Sequence, residues 1–353
     1  MSLQPIAAEQ ALGQLNQFSA IIDARSPSEY AQDHLPGAIN WPTLDDAQRQ
    51  QIGTDYKQIN GFEAKKLGAV MAARNIAAHI EREVLGKPKD WAPLLYCWRG
   101  GKRSGSLALV LDQIGFRVSL IEGGYKAFRT ALLADLPKQV ARLRWRVVCG
   151  TTGSGKTRLL HALAAQGAQV LDLEGLARHR SSVLGLLPGQ SQPSQKAFDT
   201  AVWHALSQFA GDRVVYVESE SKKVGNVAVP DSLITAMRAS DCLRLELDEP
   251  HRVRLLMQDY DFFVRDTEFF CERLDTLVQV RGGPTVRQWQ ALARAGDTAE
   301  VVRQLLRQHY DPTYLASMQR NFSRHAQAAT LTARDESPQA MAELARQMLE
   351  QST

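Results

Sequence analysis

The chain is poor in cysteine. Four stand in 353 residues, at Cys97, Cys149, Cys242 and Cys271. No two form a C-x-x-C pair, which argues against a zinc knuckle or ribbon, and nothing in their spacing suggests a disulfide framework. No metal site made by a direct cluster of protein ligands is expected from the sequence. Thiols without a disulfide pattern fit a reducing compartment. Long apolar runs are missing too: no stretch approaches the roughly 18 apolar residues that mark a membrane span. The N-terminus, MSLQPIAAEQALGQL, has neither a basic n-region nor a long apolar h-region. The expected location is therefore the cytoplasm, with no membrane partner. A large charge of one sign is also lacking. The net charge of +4 permits nucleic-acid binding without demanding it. There are no internal repeats and no low-complexity segment. What remains is the composition of an ordinary globular protein, 44% hydrophobic and 23% charged. At this length two domains are the default.

The stretch Tyr96–Ser104, YCWRGGKRS, organises the first of them. An apolar run, APLLY, leads into Cys97, then a tight basic loop, then the helix-like SGSLALVLDQIG. Inward-pointing loop amides and the following helix N-terminus make an anion-binding cradle. The full charges of Arg99, Lys102 and Arg103 add to it, and Trp98, Gly100 and Gly101 complete the loop. A thiol so placed is expected to titrate well below the roughly 8.5 of a free cysteine and to be a nucleophile near neutral pH.

The chain around it reads as strands alternating with helices, hence a parallel sheet. Residues 19–25 (SAIIDAR) are a buried strand. Ser26 or Ser28 caps a short helix with Glu29 in its first turn. Ala38–Trp41 is a second strand, residues 62–85 a long helix, and Phe116–Ile121 the strand before the turn Glu122-Gly123-Gly124-Tyr125. IIDARSPSEYAQDHLPGAIN, the Cys97 loop and EGGYKAFR together resemble a rhodanese domain over about residues 1–137. One feature departs from the sulfurtransferases of that family. Five residues, WRGGK, separate Cys97 from Arg103, where four are usual. The longer loop resembles the phosphatase relatives of the fold and suits a phosphate-like oxyanion beside the thiolate.

Pro137 and the basic KQVARLRWR mark the boundary to a second domain, 138–353. The strand RVVC then leads into Gly150-Thr151-Thr152-Gly153-Ser154-Gly155-Lys156-Thr157, a G-x-x-x-x-G-K-T motif followed by the helix RLLHALAAQG. Strand and helix on either side are what a P-loop requires. Its glycines let the backbone wrap a phosphate, Lys156 neutralises the outer charge, and the Thr157 hydroxyl is placed to hold Mg²⁺. Gln169–Leu173 is the next strand, ending at Asp172 and Glu174. The polar stretch HRSSVLGLLPGQSQPSQKAFD reads as a loop crossing the ligand face. Arg213–Val217 runs into Glu218, the candidate carboxylate to orient a metal, with a helix cap or an ion pair as the other role open to it. Lys222 and Lys223 are candidate phosphate contacts. Cys242–Leu247 is a further strand. Residues 251–325 read as helices rich in Arg and aromatics, a composition that suits either RNA contact or a helical subdomain. The tail from Thr332 reads as one amphipathic helix.

The fold class is therefore α/β: a rhodanese-like parallel-sheet domain, then a P-loop NTPase-like α/β domain with a helical C-terminal part. With CWRGGKRS, GTTGSGKT, VVYVESES and HYDPTY in this order, the whole chain resembles the bacterial tRNA 2-selenouridine synthase family. The resemblance implies a tRNA partner whose anticodon loop carries a wobble 2-thiouridine. It implies a geranyl group added to the sulfur from geranyl diphosphate at the P-loop, with Mg²⁺. Selenium from selenophosphate then replaces the geranylated sulfur at Cys97, through a covalent Cys–S–Se intermediate, with Arg103 offsetting phosphate charge. It also implies a selenophosphate-producing enzyme as a partner. Two other functions are compatible with the motifs. One is a nucleotide-hydrolysing P-loop protein whose rhodanese-like part only docks. The other is a cysteine phosphatase or sulfurtransferase with a P-loop accessory domain.

Overall fold

The short apolar runs AIID, PLLY and SLI lie side by side as parallel strands in the computed structural model, which describes residues 3–58, 60–180 and 189–350. The chain forms two compact units: Met1–Lys138 with Pro193–His204, and Gln139–Gln192 with Ala205–Thr353.

The first unit is built on β1 (Gln4–Ile6), β2 (Ala20–Asp23), β3 (Ala38–Asn40), β4 (Pro93–Tyr96) and β5 (Ser119–Ile121), in the order β1-β5-β4-β2-β3 with every pair parallel. Helices cover both faces of such a sheet, so its central strands read as continuous apolar runs. Ile22, Leu94, Leu95 and Tyr96 have no exposed surface. The long helix expected over 62–85 is Gly61–His79, continued by one wider turn, Ile80–Val84. The strand expected from Phe116 begins at Ser119. The helix Asp46–Gln58 was not foreseen, because none of its residues is buried and its sequence shows no apolar stripe. Pro137 does not stop its helix: Gly124–Ala141 runs through it. The carbonyl of Leu133 would have been the partner of the missing N–H, and Leu133 lies on the exposed face of the helix, 51% exposed. The segment Pro193–His204 belongs to this unit through buried polar contacts. Thr200 Oγ1 donates to Asp33 Oδ2 at 3.1 Å, Arg129 Nη2 to Asp199 Oδ2 at 2.8 Å, and Trp203 Nε1 to Asp135 Oδ2 at 3.0 Å.

The second unit holds β6 (Arg144–Cys149), β7 (Gln169–Leu171), β8 (Val214–Glu218), the two-residue hairpin strands β9 (Lys223–Val224) and β10 (Val227–Ala228), β11 (Asp241–Glu246) and β12 (Ala329–Thr332). Its main sheet is parallel in the order β12-β11-β6-β8-β7. The expected tail helix is shorter than foreseen. Thr332, where it was expected to begin, ends the edge strand β12, and the helix starts at Pro338, running to Glu350. That helix packs Met341, Leu344, Ala345 and Met348 against Leu159, Leu160 and Leu163 of the helix Lys156–Ala165. The C-terminal segment thereby fixes the P-loop helix.

The helices between Glu249 and Asn321 have their own core, centred on Phe263, Phe270, Leu274, Trp289 and Val301. These aromatics are buried for packing and are not offered for base stacking. Arg265 and Arg294 on the same helices pair with Asp261 and Glu268. The loop expected to cross the ligand face lies in part, over 181–188, outside the described residues.

Candidate functional site

Strand β4 ends at Tyr96, and the chain turns through Cys97–Gly101 into the helix Lys102–Ile114. The turn is held from behind by the EGGY motif. The Tyr125 amide donates to the Cys97 carbonyl at 2.8 Å, and the Lys126 amide to that of Trp98 at 3.1 Å. Gly124 has φ +58°, and a side chain there would collide with the Cys97 carbonyl and the Gly100 amide. Gly100 has φ +65°, with room for a Cβ blocked 2.7 Å away by the Ile121 carbonyl. Only glycine permits this approach, which curls the loop.

Cys97 lies on the floor of the curl, 3% exposed, its Sγ 3.8 Å from the Gly101 carbonyl. Arg99, Gly101 and Lys102 are exposed around the rim. The Trp98 ring stacks on Tyr125 at 5.5 Å, with the Lys196 amine 5.8 Å from its centroid. Arg103 is anchored: its Nη1 donates to Glu29 Oε2 at 2.6 Å and Nη2 to Oε1 at 3.3 Å. Glu29 in turn accepts from the Ser26 amide at 3.2 Å, capping the helix Pro27–Gln32. Burial pushes the Glu29 carboxyl up, but the Arg103 hydrogen bonds and charge outweigh that and hold it below the usual carboxylate range. Behind the loop, Arg25 is 1% exposed, paired with Asp23 at 2.6 Å, and stacked over the Tyr125 ring at 3.9 Å. Tyr125 closes this network by donating to Asp33 Oδ2 at 2.6 Å.

In the second unit, β6 runs into the P-loop. Gly153 and Gly155 take φ +78° and +90°, the left-handed geometry that glycine adopts without strain. Lys156 Nζ donates to the carbonyls of Gly150 at 2.8 Å and Thr151 at 3.4 Å, so its charge sits within the loop. The Gly150 amide donates to the Tyr314 hydroxyl at 2.6 Å, and that hydroxyl is 2.9 Å from Ser219 Oγ. The Tyr314 ring also lies 5.5 Å from the Lys156 amine. Ser154 Oγ is buried and makes no hydrogen bond.

Thr157 Oγ1 is 3.3 Å from Glu174 Oε2 and 3.5 Å from Glu218 Oε2. The expectation that no direct cluster of protein ligands forms needs correction. Ligand atoms of Glu174, Glu218 and Glu220 all lie within 4.8 Å of one another. The sequence hides this because Glu174 follows β7, whereas Glu218 ends β8 and Glu220 lies two residues beyond it. Burial, then the charges of Glu174 and Glu220, raise the Glu218 carboxyl well above its ordinary value, and its Oε1 makes no hydrogen bond. A hard cation with oxygen ligands fits this set, and Mg²⁺ matches both the donors and the P-loop hydroxyl. Lys222 and Lys223 are exposed and lie outside the cavity wall.

These groups face a cavity of about 590 Å³, walled by the P-loop on one side and by Tyr260, Tyr310 and Tyr314 on another. Tyr314, Glu174, Glu220 and the Arg103 partner Glu29 were not assigned site roles from the sequence. Only HYDPTY, which contains Tyr314, carried a signal, and it was one of resemblance.

Residues 143–281 match the family model described as the tRNA 2-selenouridine synthase AAA domain, and residues 7–131 match the rhodanese-like domain. The chain is 35% identical over 303 residues to a tRNA 2-selenouridine synthase of Nitrosomonas europaea, covering 82% of this chain and 73% of that one. It is 34% identical over 328 residues to that of Cupriavidus necator, covering 84% and 87%. Among solved structures, a rhodanese-related protein from Thermoplasma volcanium matches at 16% identity and TM-score 0.24, covering 35% of this chain and 89% of that one. Among the described residues, no helix is long and apolar enough to cross a membrane.

Proposed function

The chain belongs to the tRNA 2-selenouridine synthase family, and from that we propose that it is a tRNA-modifying enzyme that converts wobble 2-thiouridine to 2-selenouridine in two steps. The observation that supports the reading is a pair of strand–loop–helix turns in one chain: one after β4 that carries Cys97, and a G-x-x-x-x-G-K-T loop after β6.

In the first step the thiouridine sulfur attacks C1 of geranyl diphosphate. A carbon–sulfur bond forms, the carbon–oxygen bond breaks, and diphosphate leaves. Lys156 and the loop amides from Thr151 to Thr157 stabilise charge as it develops on the leaving group. Thr157, Glu218, Glu174 and Glu220 would hold Mg²⁺, which when bound offsets the diphosphate charge. Tyr314 positions the loop by fixing the Gly150 amide. Alkylation turns a poor leaving group into a thioether-like one that departs as geranyl thiol.

In the second step selenium from selenophosphate takes the place of that sulfur at C2. Cys97 is the nucleophile toward selenophosphate: its sulfur bonds to selenium as the selenium–phosphorus bond breaks and phosphite leaves. The perselenide displaces geranyl thiol from C2, and a thiol reductant then cleaves the Se–S bond to release selenouridine and restore the cysteine. The loop amides and Arg103, oriented by Glu29, offset the phosphate charge. The wobble base lies in a single-stranded loop and can be presented without opening a duplex. A selenophosphate-producing enzyme would supply the donor.

The test is mass spectrometry of nucleosides from 2-thiouridine tRNA incubated with the protein and geranyl diphosphate, with and without selenophosphate. S-Geranyl-2-thiouridine alone is expected without selenophosphate, and 2-selenouridine with it. Absence of both products from active tRNA refutes the reading.

A further inference from the structure

Beside the phosphate cavity runs a second, narrow pocket of about 50 Å³. Its wall is apolar, formed by residues such as Leu256, Phe263, Phe270, Val302 and Leu306. It shares Thr152, Leu256, Tyr260 and Tyr310 with the 590 Å³ cavity, so the two adjoin. Leu256 brings this apolar wall up to the anion site itself. Its Cδ1 is 3.0 Å from where a Cβ on Gly153 of the P-loop would stand. On the far side, Val264 is 44% exposed.

A nucleoside attached to the phosphates would find poor partners here, because base and ribose need hydrogen bonds that this wall lacks. The geometry points to an amphiphilic ligand: a diphosphate head on the P-loop amides, and an unbranched or isoprenoid chain passing Leu256 and Tyr260 so that its distal carbons enter the pocket between Phe263 and Val302. This inference rests on the diphosphate-donor reading above and adds where the chain of the donor lies. The proximal carbons occupy the larger cavity, so the narrow pocket receives only the end of the chain. It thereby acts as a measure of chain length.

Each buried methylene is worth about fourfold in affinity, the equivalent of about 0.8 kcal/mol. The experiment is calorimetric titration of the full chain, without tRNA, by geranyl diphosphate, dimethylallyl diphosphate and inorganic pyrophosphate. The ten-carbon donor is expected to bind on the order of 100-fold more tightly than the five-carbon one, for about that gain per methylene over a partly buried chain. Val302→Phe, at a half-buried position, should cut that preference at least about tenfold, and pyrophosphate should bind as before. Val264→Asp, at an exposed position that tolerates substitution, should do the same by placing a charge at the far end of the pocket. Equal affinity for the two donors, or variants that keep the full preference, overturns the inference. The two readings fail separately. Wild-type protein that transfers geranyl to tRNA without chain-length preference refutes the pocket alone. Protein that shows the preference yet modifies no tRNA refutes the transfer step alone.

Discussion

The Gly150 amide, first of the P-loop, donates a 2.6 Å hydrogen bond to the hydroxyl of Tyr314, a residue 164 positions further along the chain. Burial pushes the Tyr314 phenol above its ordinary value, so the hydroxyl stays neutral and can also pair with Ser219. One side chain from the helix Asp311–Asn321 thus holds the turn from strand to phosphate loop.

Tyr314→Phe removes the acceptor and leaves that amide unpaired. The expected cost is about 1–2 kcal/mol in urea unfolding, with several-fold weaker binding of pyrophosphate. Unchanged affinity would show that Tyr314 serves folding only.

Cys97→Ser and Lys156→Ala separate the two steps. The cysteine variant should still geranylate tRNA and incorporate no selenium. The lysine variant should lose geranylation first. Nucleoside mass spectrometry reads both, and a folded Cys97→Ser protein that loses both products would contradict the division of labour.

Glu218 gives a pH dependence. Its folded-state carboxyl is raised well above the ordinary value by burial and by the charges of Glu174 and Glu220. A raised carboxyl favours the folded state while it is protonated, and that contribution is lost as pH rises from the ordinary carboxyl range through the raised value. Mg²⁺ competes with the proton. The thermal stabilisation by Mg²⁺ should therefore be small near pH 5.5 and larger near pH 8, by about a few degrees for each kcal/mol of binding. In Glu218→Gln both the stabilisation and its pH dependence should disappear. Equal stabilisation at the two pH values would count against the cluster.

Glu29→Gln tests the orientation of Arg103. The Glu29 carboxyl is depressed, so its contribution to stability is present above the ordinary carboxyl value and lost as pH falls through the depressed one. Neutralising it should cost about 1–2 kcal/mol at neutral pH, because both partners are largely shielded and the pair is bidentate. Selenium incorporation should fall with geranylation intact. Arg103→Lys should share the activity defect, since an ammonium cannot reproduce the two-pronged contact. A Glu29→Gln protein that incorporates selenium at the wild-type rate would remove Glu29 from the site.

Both strand–loop–helix turns could be read from consecutive residues. A strand, a glycine-rich turn and a helix start are local events. The left-handed backbone of Gly153 and Gly155, and the turn after Cys97, are written into adjacent positions. The parallel sheets were legible for the same reason, since strands buried on both faces show as short apolar runs. The helix Asp46–Gln58 lacked such a run, and β12 is a four-residue edge strand, little buried, that overlaps the expected tail helix only at Thr332, so neither was seen.

The sequence by itself therefore determined the two units' fold class, the turn that carries Cys97 after its strand and the glycine-rich loop around Lys156. Only tertiary structure set Tyr314 on Gly150, Glu29 on Arg103, Glu174 beside Glu218 and Leu256 against Gly153. These partners come from separate elements whose ends meet only when the sheet and the helices pack, and no local spacing or periodicity records which ends those will be.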